Sequence, residues 1–170
     1  MNAFALSVYQ AWVWHIDRFQ DDRGFFEVLF SANNGPPFTF DCKQINCSKS
    51  KKNVLRGIHV APFSKLVHCI KGKIFDVVVD TRPESPTYLK WSGVELSEDN
   101  RTSILIPTNC GHGFLALEDS VIVYAQDGLY NPKLEQTIRF DDPKTAVRWP
   151  GSADEFILSE KDRHAEYLST

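Results

Sequence analysis

Arg56-Gly57-Ile58-His59, Lys65-Leu66-Val67 and Phe75-Asp76-Val77-Val78-Val79-Asp80 place an arginine, a histidine, a lysine and an aspartate in apolar runs that otherwise read as buried strands. Polar groups that enter a core are costly unless they are paired. Four of them within about one hairpin point to a pocket that handles an anion and moves protons. A neutral imidazole is a suitable base near neutral pH, and it needs a carboxylate to fix its tautomer. Taken alone, His59 fits a satisfied structural histidine equally well. Arg56 and His59 have opposite strand parity, so both face one pocket only if the strand bulges, and Gly57 is the residue that allows a bulge. Lys65 shares a face with Val67 and Cys69. It either snorkels to the surface or serves as a cation that stabilises negative charge developing on an oxygen. Asp76 shares a face with Ile74 and Val78 and needs a partner, for which a histidine is the natural candidate. Tyr124 alternates with Ile122 and Gln126, which sets its hydroxyl on one face, although a core tyrosine gives the same pattern.

Metal centres in β-barrels gather three or four converging histidines or carboxylates. His59 and His112 have no histidine two residues on, and the other histidines lie in dissimilar contexts, so no metal is expected. The four cysteines, Cys42, Cys47, Cys69 and Cys110, lack zinc-pair spacings. They read as reduced thiols acting as small buried hydrophobes.

These groups must be positioned by a chain of 170 residues, long enough for one sizeable core and read as a single domain over 1–170. Its composition is 42% hydrophobic and 24% charged, with a net charge of −3, which gives no basic footprint for a nucleic-acid partner. No apolar run is long enough to cross a membrane as a helix. Met1 to Gln10 lacks a basic leader and a cleavage pattern, so a cytoplasmic protein is expected. Lys73 to Asp80, Thr102 to Ile106, Val121 to Ala125 and Thr137 to Phe140 read as short strands bounded by Gly, Pro, Asn or Asp. Many short strands with frequent turns predict a sandwich or barrel. Pro36-Pro37 and Gly151-Ser152 read as loops inside the domain. Ser159 is a candidate cap for a short helix from Glu160 to about Leu168.

Further along, more of the same order accumulates. Asp22-Arg23-Gly24-Phe25-Phe26 is followed by Gln44-Ile45-Asn46 and by Ser48-Lys49-Ser50-Lys51-Lys52-Asn53-Val54-Leu55 running into Arg56. After Asp80 come Ser85-Pro86-Thr87, Ile106-Pro107, Gly111-His112-Gly113-Phe114, Tyr130-Asn131-Pro132, Glu135, Trp149-Pro150 and Leu158-Ser159-Glu160-Lys161-Asp162. In these motifs, in register over nearly the whole chain, the sequence resembles the nucleoside-diphosphate 4-keto-sugar 3,5-epimerases of the dTDP-4-dehydrorhamnose 3,5-epimerase family.

The resemblance implies an all-β, cupin-type double-stranded β-helix (jelly roll) with a short C-terminal helix, working as a homodimer without metal or cofactor. The absence of a glycine-rich dinucleotide fingerprint fits chemistry without net redox. By position, His59 is implied as the base and Asp162 as its orienting carboxylate. Tyr124 is implied as the acid on the opposite sugar face, and Lys65 as the group facing the C4 oxygen; Asp76 completes the catalytic set. Arg23, Arg56, His112 and Lys161 match positions that bind the nucleotide sugar. Gln44, Asn46 and Glu135 match further substrate contacts, and Tyr130 matches an aromatic that stacks on the base. The implied substrate is a nucleoside diphosphate 4-keto-6-deoxy sugar.

Four departures stand out. Val60-Ala61-Pro62-Phe63-Ser64 is shorter than the family pattern, and Glu27 sits one place early after Arg23-Gly24. Ala125 and Leu129 replace a common Lys and Tyr. Other readings are epimerisation at C3 only, a heptose substrate, a related ketoisomerase, or a non-catalytic nucleotide-sugar binding module.

Overall fold

Side-chain alternation along the extended runs sorts the chain into two facing sheets. The computed structural model describes residues 3–31 and 40–168. The Pro36-Pro37 turn lies outside the described residues. In chain order the strands are β1 (Ala3–Ala5), β2 (Trp12–His15), β3 (Arg18–Asp21), β4 (Gly24–Glu27), β5 (Gln44–Ser50), β6 (Leu55–Val60), β7 (Lys65–Lys71), β8 (Lys73–Val79), β9 (Trp91–Ser97), β10 (Thr102–Ile106), β11 (Gly111–Ala116), β12 (Ser120–Gln126) and β13 (Gln136–Thr137). A 3-10 turn (Ala153–Glu155) and one helical turn, α1 (Glu160–Arg163), follow.

One sheet has the order β1-β2-β10-β7-β12-β5 and the other β13-β6-β11-β8-β9; β3 and β4 form a separate hairpin. Every pairing between these strands is antiparallel. From β5 onward the chain passes from one sheet to the other at nearly every turn, the β8–β9 hairpin excepted. This is the jelly roll that the resemblance implies.

Between the sheets lies a core built from the inward alternates of both. Val67, Cys69, Ile104 and Ile122 face Ile74, Val78, Leu96 and Phe114. Burying each such aliphatic side chain contributes about 1.5–3 kcal/mol, which is what fixes the register of each strand. β10 and most of β7 are buried on both faces, because a second cluster of Trp14, Ile16, Phe40, Leu66 and Leu105 covers the outside of the first sheet.

All four cysteines are free. Cys69 and Cys110 are buried, and burial pushes their thiols up to about 11 and about 12. Cys47, however, is exposed, because it occupies an outward position of edge strand β5.

Two expected boundaries need correction. The last helix ends at Arg163 rather than near Leu168. Ser159 does cap it, accepting from Asp162 N–H at 3.1 Å. Beyond His164 the backbone finds better partners elsewhere: Arg139 N–H donates to Glu166 O at 3.0 Å, and Leu168 N–H donates to the Asp142 carboxylate at 2.7 Å. The same segment explains the second correction. The strand expected over Thr137 to Phe140 is regular only through Thr137, because Ile138 bridges to both Ile58 and Glu166.

Asp80 ends β8 and anchors the loop that follows. Its carboxylate accepts from Arg82 Nε and Nη2 at 2.9 Å each, and from the hydroxyls of Ser85 and Thr87 at 2.5 Å each. Arg82 in turn holds Tyr9 O and Gln10 Oε1 at 2.8 and 2.9 Å, tying this loop to the β1–β2 turn. Burial would raise the Asp80 pKa, but the Arg82 guanidinium and the two hydroxyls outweigh it and hold the carboxyl at about 2. A carboxyl held low only in the folded state stabilises the fold above its ordinary range, and that contribution is lost as pH falls toward about 2. Asp80→Asn is expected to cost about 1.5–3 kcal/mol at neutral pH. It should also flatten the stability profile between about pH 4 and 2. Urea unfolding followed across this range checks both; an unchanged acid limb would remove Asp80 from the account.

Candidate active site

Three strands of the first sheet present their inward residues as rows. Register pairs Gln126 with both Gln44 and Lys65, and Tyr124 with both Asn46 and Val67. The second sheet contributes β6 and β11 opposite them. Here the expected bulge is present: His112 pairs with His59 and Phe114 with Arg56, so Gly57 and Ile58 stand opposite Gly113 alone. Gly57 adopts φ +117°, and a β-carbon on it would lie 2.7 Å from the Gly113 Cα and the His112 oxygen. Only glycine fits there. The extra residue turns both Arg56 and His59 into one cavity of about 350 Å³.

That cavity lies between the sheets and is lined by His59, Lys65, His112, Tyr124, Arg56 and Tyr130, with Glu135 and Lys161 at its side. Behind His59, residues after the 3-10 turn run beside the start of β6, with Leu55 N–H bonded to Ile157 O at 3.0 Å. This delivers α1 and Asp162 to the histidine. Nε2 of His59 lies 2.6 Å from Asp162 Oδ1. The carboxylate fixes the proton on Nε2 and leaves Nδ1, which has no hydrogen-bond partner among the described residues, as the basic nitrogen. Asp162 is 3% exposed. Burial opposes its charge, but hydrogen bonds from His59, the Ser159 hydroxyl and Gly57 N–H hold its carboxyl below the usual carboxylate range.

A second histidine–carboxylate pair forms the floor. His112 Nε2 sits 3.1 and 3.0 Å from the two oxygens of Asp76, which is fully buried. Asp76 thus has the histidine partner its setting demands. Lys65 is 7% exposed, beneath the Phe63 ring. Burial pushes its ammonium down, while Glu135 and Asp76 pull the other way. Burial, with the Glu135 charge adding to it, pushes the Tyr124 phenol up, so Tyr124 is protonated at neutral pH. Lys161 pairs with Glu135 at 2.5 Å across the cavity edge. The Arg56 guanidinium donates from Nε to Ser50 Oγ and from Nη2 to Lys49 O, at 3.1 and 3.2 Å.

The remaining expected residues are placed less directly. Gln44 and Asn46 stand beside the lining, joined to it through Gln126. Arg23 does not line this cavity: it sits at the tip of the β3–β4 hairpin, paired with Asp21. Glu27 is turned to Arg18, 3.0 Å away. Ser48, Phe63, Phe114, Ile122 and Gln126 line the cavity and were not singled out from the sequence. For Gln126 and Ile122 the signal was present, since both alternate with Tyr124. Among the described residues no three His, Cys, Asp or Glu side chains converge to hold a metal.

An imidazole paired with a carboxylate, a phenol, a buried lysine and two further basic side chains around one cavity are the groups that proton transfer on an anionic ligand requires. Comparison with known proteins gives the same direction. The family model described as dTDP-4-dehydrorhamnose 3,5-epimerase matches residues 5–170. The epimerase of that name from Methanothermobacter thermautotrophicus is 44% identical over 155 residues, covering 86% of this chain and 83% of that protein. An epimerase structure from Mycobacterium tuberculosis superposes with a TM-score of 0.93 at 39% identity, covering 98% of this chain and 88% of that one. A Legionella pneumophila epimerase solved with dTDP-4-keto-L-rhamnose gives 0.92 at 34% identity, covering 98% and 92%. With the match extending over both sheets and the segment that carries Asp162, the chain belongs to the dTDP-4-dehydrorhamnose 3,5-epimerase family.

Proposed function

We propose that this protein epimerises a dTDP-linked 4-keto-6-deoxy sugar at C3 and C5 through an enolate. The observation that carries the reading is one cavity holding the His59–Asp162 pair, Tyr124 and Lys65. A hydrogen on C3 or C5 is acidic because the electron pair left on carbon delocalises onto the C4 carbonyl. Nδ1 of His59 takes that proton, and the resulting imidazolium is stabilised by Asp162. The pair moves into a C=C bond with carbon C4, and the charge collects on the C4 oxygen. Lys65, nearly fully buried in the cavity wall, stabilises it there. Tyr124 then donates its phenolic proton to the opposite face, which inverts the centre. Its phenolate then takes a proton from solvent and the His59 imidazolium releases one to solvent, so protons balance and no electrons are gained or lost overall. Arg56, Lys161 and His112 supply positive charge and donors for the diphosphate and sugar oxygens. Tyr130, exposed at the cavity mouth, offers a ring for the base.

On this proposal the protein is a single domain that works as a homodimer. The outside of the first sheet carries an apolar groove lined by Trp14, Leu29, Phe30, Ile45, Val123 and Ala125. Beside it, the β3–β4 hairpin exposes Phe19, Phe25 and Phe26 at 57–65%. A two-stranded hairpin with three exposed aromatic rings, only Phe25 being partly covered by Arg18, is marginal by itself, and a second copy would cover both features. Arg23, remote from its own cavity, contributes to substrate binding only if it reaches the partner's. No helix among the described residues is long and apolar enough to cross a membrane.

The deciding experiment is incubation with dTDP-4-keto-6-deoxyglucose in D₂O, following deuterium at C3 and C5 together with product stereochemistry. Incorporation at both carbons is expected. Deuterium at C3 alone would make this a mono-epimerase, and none at either would sink the proposal. In the same assay His59→Ala should lose both exchange and inversion. Tyr124→Phe should retain exchange and lose inversion, because the enolate still forms but the opposite face has no donor. Inversion at the wild-type rate in Tyr124→Phe would transfer the acid's role elsewhere.

Asp162→Asn is expected to lower kcat by about 10²–10⁴-fold while dTDP affinity by calorimetry stays within about threefold, since the amide keeps the shape but not the charge. Equal losses in kcat and affinity would make Asp162 a binding group instead. Light scattering should return twice the chain mass; a monomer would contradict the homodimer.

A further inference from the structure

Tyr130 is carried by a short loop that leaves β12 at Gln126. Two backbone groups of this loop are the ends of one continuous hydrogen-bonded run through three side-chain amides. Tyr130 N–H donates to Gln44 Oε1 at 3.1 Å, and Gln44 Nε2 donates to Asn46 Oδ1 at 2.6 Å. Asn46 Nδ2 donates to Gln126 Oε1 at 3.2 Å, and Gln126 Nε2 donates to Gly128 O at 2.8 Å. The run therefore begins and ends on the same loop and crosses the inner face of β5 and β12 between.

Its direction is not a free choice. A backbone N–H only donates and a backbone carbonyl only accepts. With both ends fixed, turning any one amide over would bring two donors or two acceptors together. Each amide keeps one N–H that the run does not use, and the run dictates where each of these points. Gln126 is the keystone: it is 2% exposed, lines the cavity, and stands in register between Gln44 and Lys65. From the other side, the loop is held by Ser64 N–H on Asp127 Oδ1 at 2.7 Å. Phe63 packs there against Gly128 so closely that a β-carbon on the glycine would lie 2.8 Å from it.

We propose that Gln126 is a positioning residue for the nucleotide sugar: it orients the Asn46 and Gln44 amides and pins the Gly128–Tyr130 loop, so that their donors and the Tyr130 ring are set before the ligand arrives. The inference rests on the nucleotide-sugar reading above. Without Gln126, the Asn46 amide is free to turn over and the loop loses one of its two side-chain anchors on this face. The ligand must then order both on binding, a cost that appears in affinity rather than in the chemical step.

The test compares wild type with Gln126→Leu and with Gln126→Glu, a near-isostere whose carboxylate still accepts from Asn46 but repels the Gly128 carbonyl. Turnover of dTDP-4-keto-6-deoxyglucose by wild type settles the underlying reading independently. Calorimetry with dTDP reads the relay whether or not turnover is seen. Both variants should raise KM and weaken dTDP binding about tenfold, with kcat of Gln126→Leu within about threefold; the melting temperature should fall by several degrees, since each variant leaves a buried amide or carbonyl without its partner. In a Tyr130→Ala background, Gln126→Leu should weaken dTDP binding by less than its single effect, because the loop it pins no longer carries a ring. Unchanged dTDP affinity in a folded Gln126→Glu protein would overturn the proposal. So would full additivity with Tyr130→Ala, or a fall in kcat at constant KM.

Discussion

Gly57 and Ile58 stand where an unbroken strand has room for one residue, and the site's geometry depends on that insertion. A regular β6 would send Arg56 and His59 to opposite faces, one into the cavity and the other away from it. The bulge is held by contact as well as by sequence: with φ at +117° and the backbone of β11 pressed against it, position 57 excludes any side chain. The Gly57 N–H freed from the ladder then serves the chemistry, helping to stabilise the Asp162 carboxylate that orients His59.

The ionisable groups around the cavity are mostly paired with a carboxylate. His59 has Asp162, His112 has Asp76, and Lys161 has Glu135. Lys65 differs: its ammonium has no hydrogen-bonded carboxylate among the described residues and feels Glu135 and Asp76 only through space. A buried cation left in this state is poised for an anionic partner, and an enolate oxygen is such a partner. Glu135 influences both neighbours, opposing loss of the Lys65 charge and adding to the burial that disfavours ionisation of Tyr124.

How much of this was legible in the sequence follows from the range of the interactions. The strands through Asp76, Ile104 and Val123 were readable because short β-branched runs between turn residues are a local signal. The bulge was readable because parity and a glycine sufficed. The ends of α1 and β13 were not, since both are set by bonds between residues 138–142 and 166–168 that no local pattern encodes. Roles for His59, Asp162 and Tyr124 came from motif resemblance, and the fold brings these three groups to one cavity region. Gln126 escaped because its meaning lies in joining residues 44–46 to 128–130. Arg23 was read as a ligand contact, but one chain alone leaves it at the far tip of a hairpin.

His59 and its carboxylate are 103 residues apart in sequence, and Asp162 arrives only after every strand has been laid down. The hydrogen bond between them therefore ties the segment that carries α1 back onto β6. If that short segment detached locally, His59 would lose its carboxylate while both sheets stayed folded, so the orientation of the imidazole is less stable than the barrel that holds it.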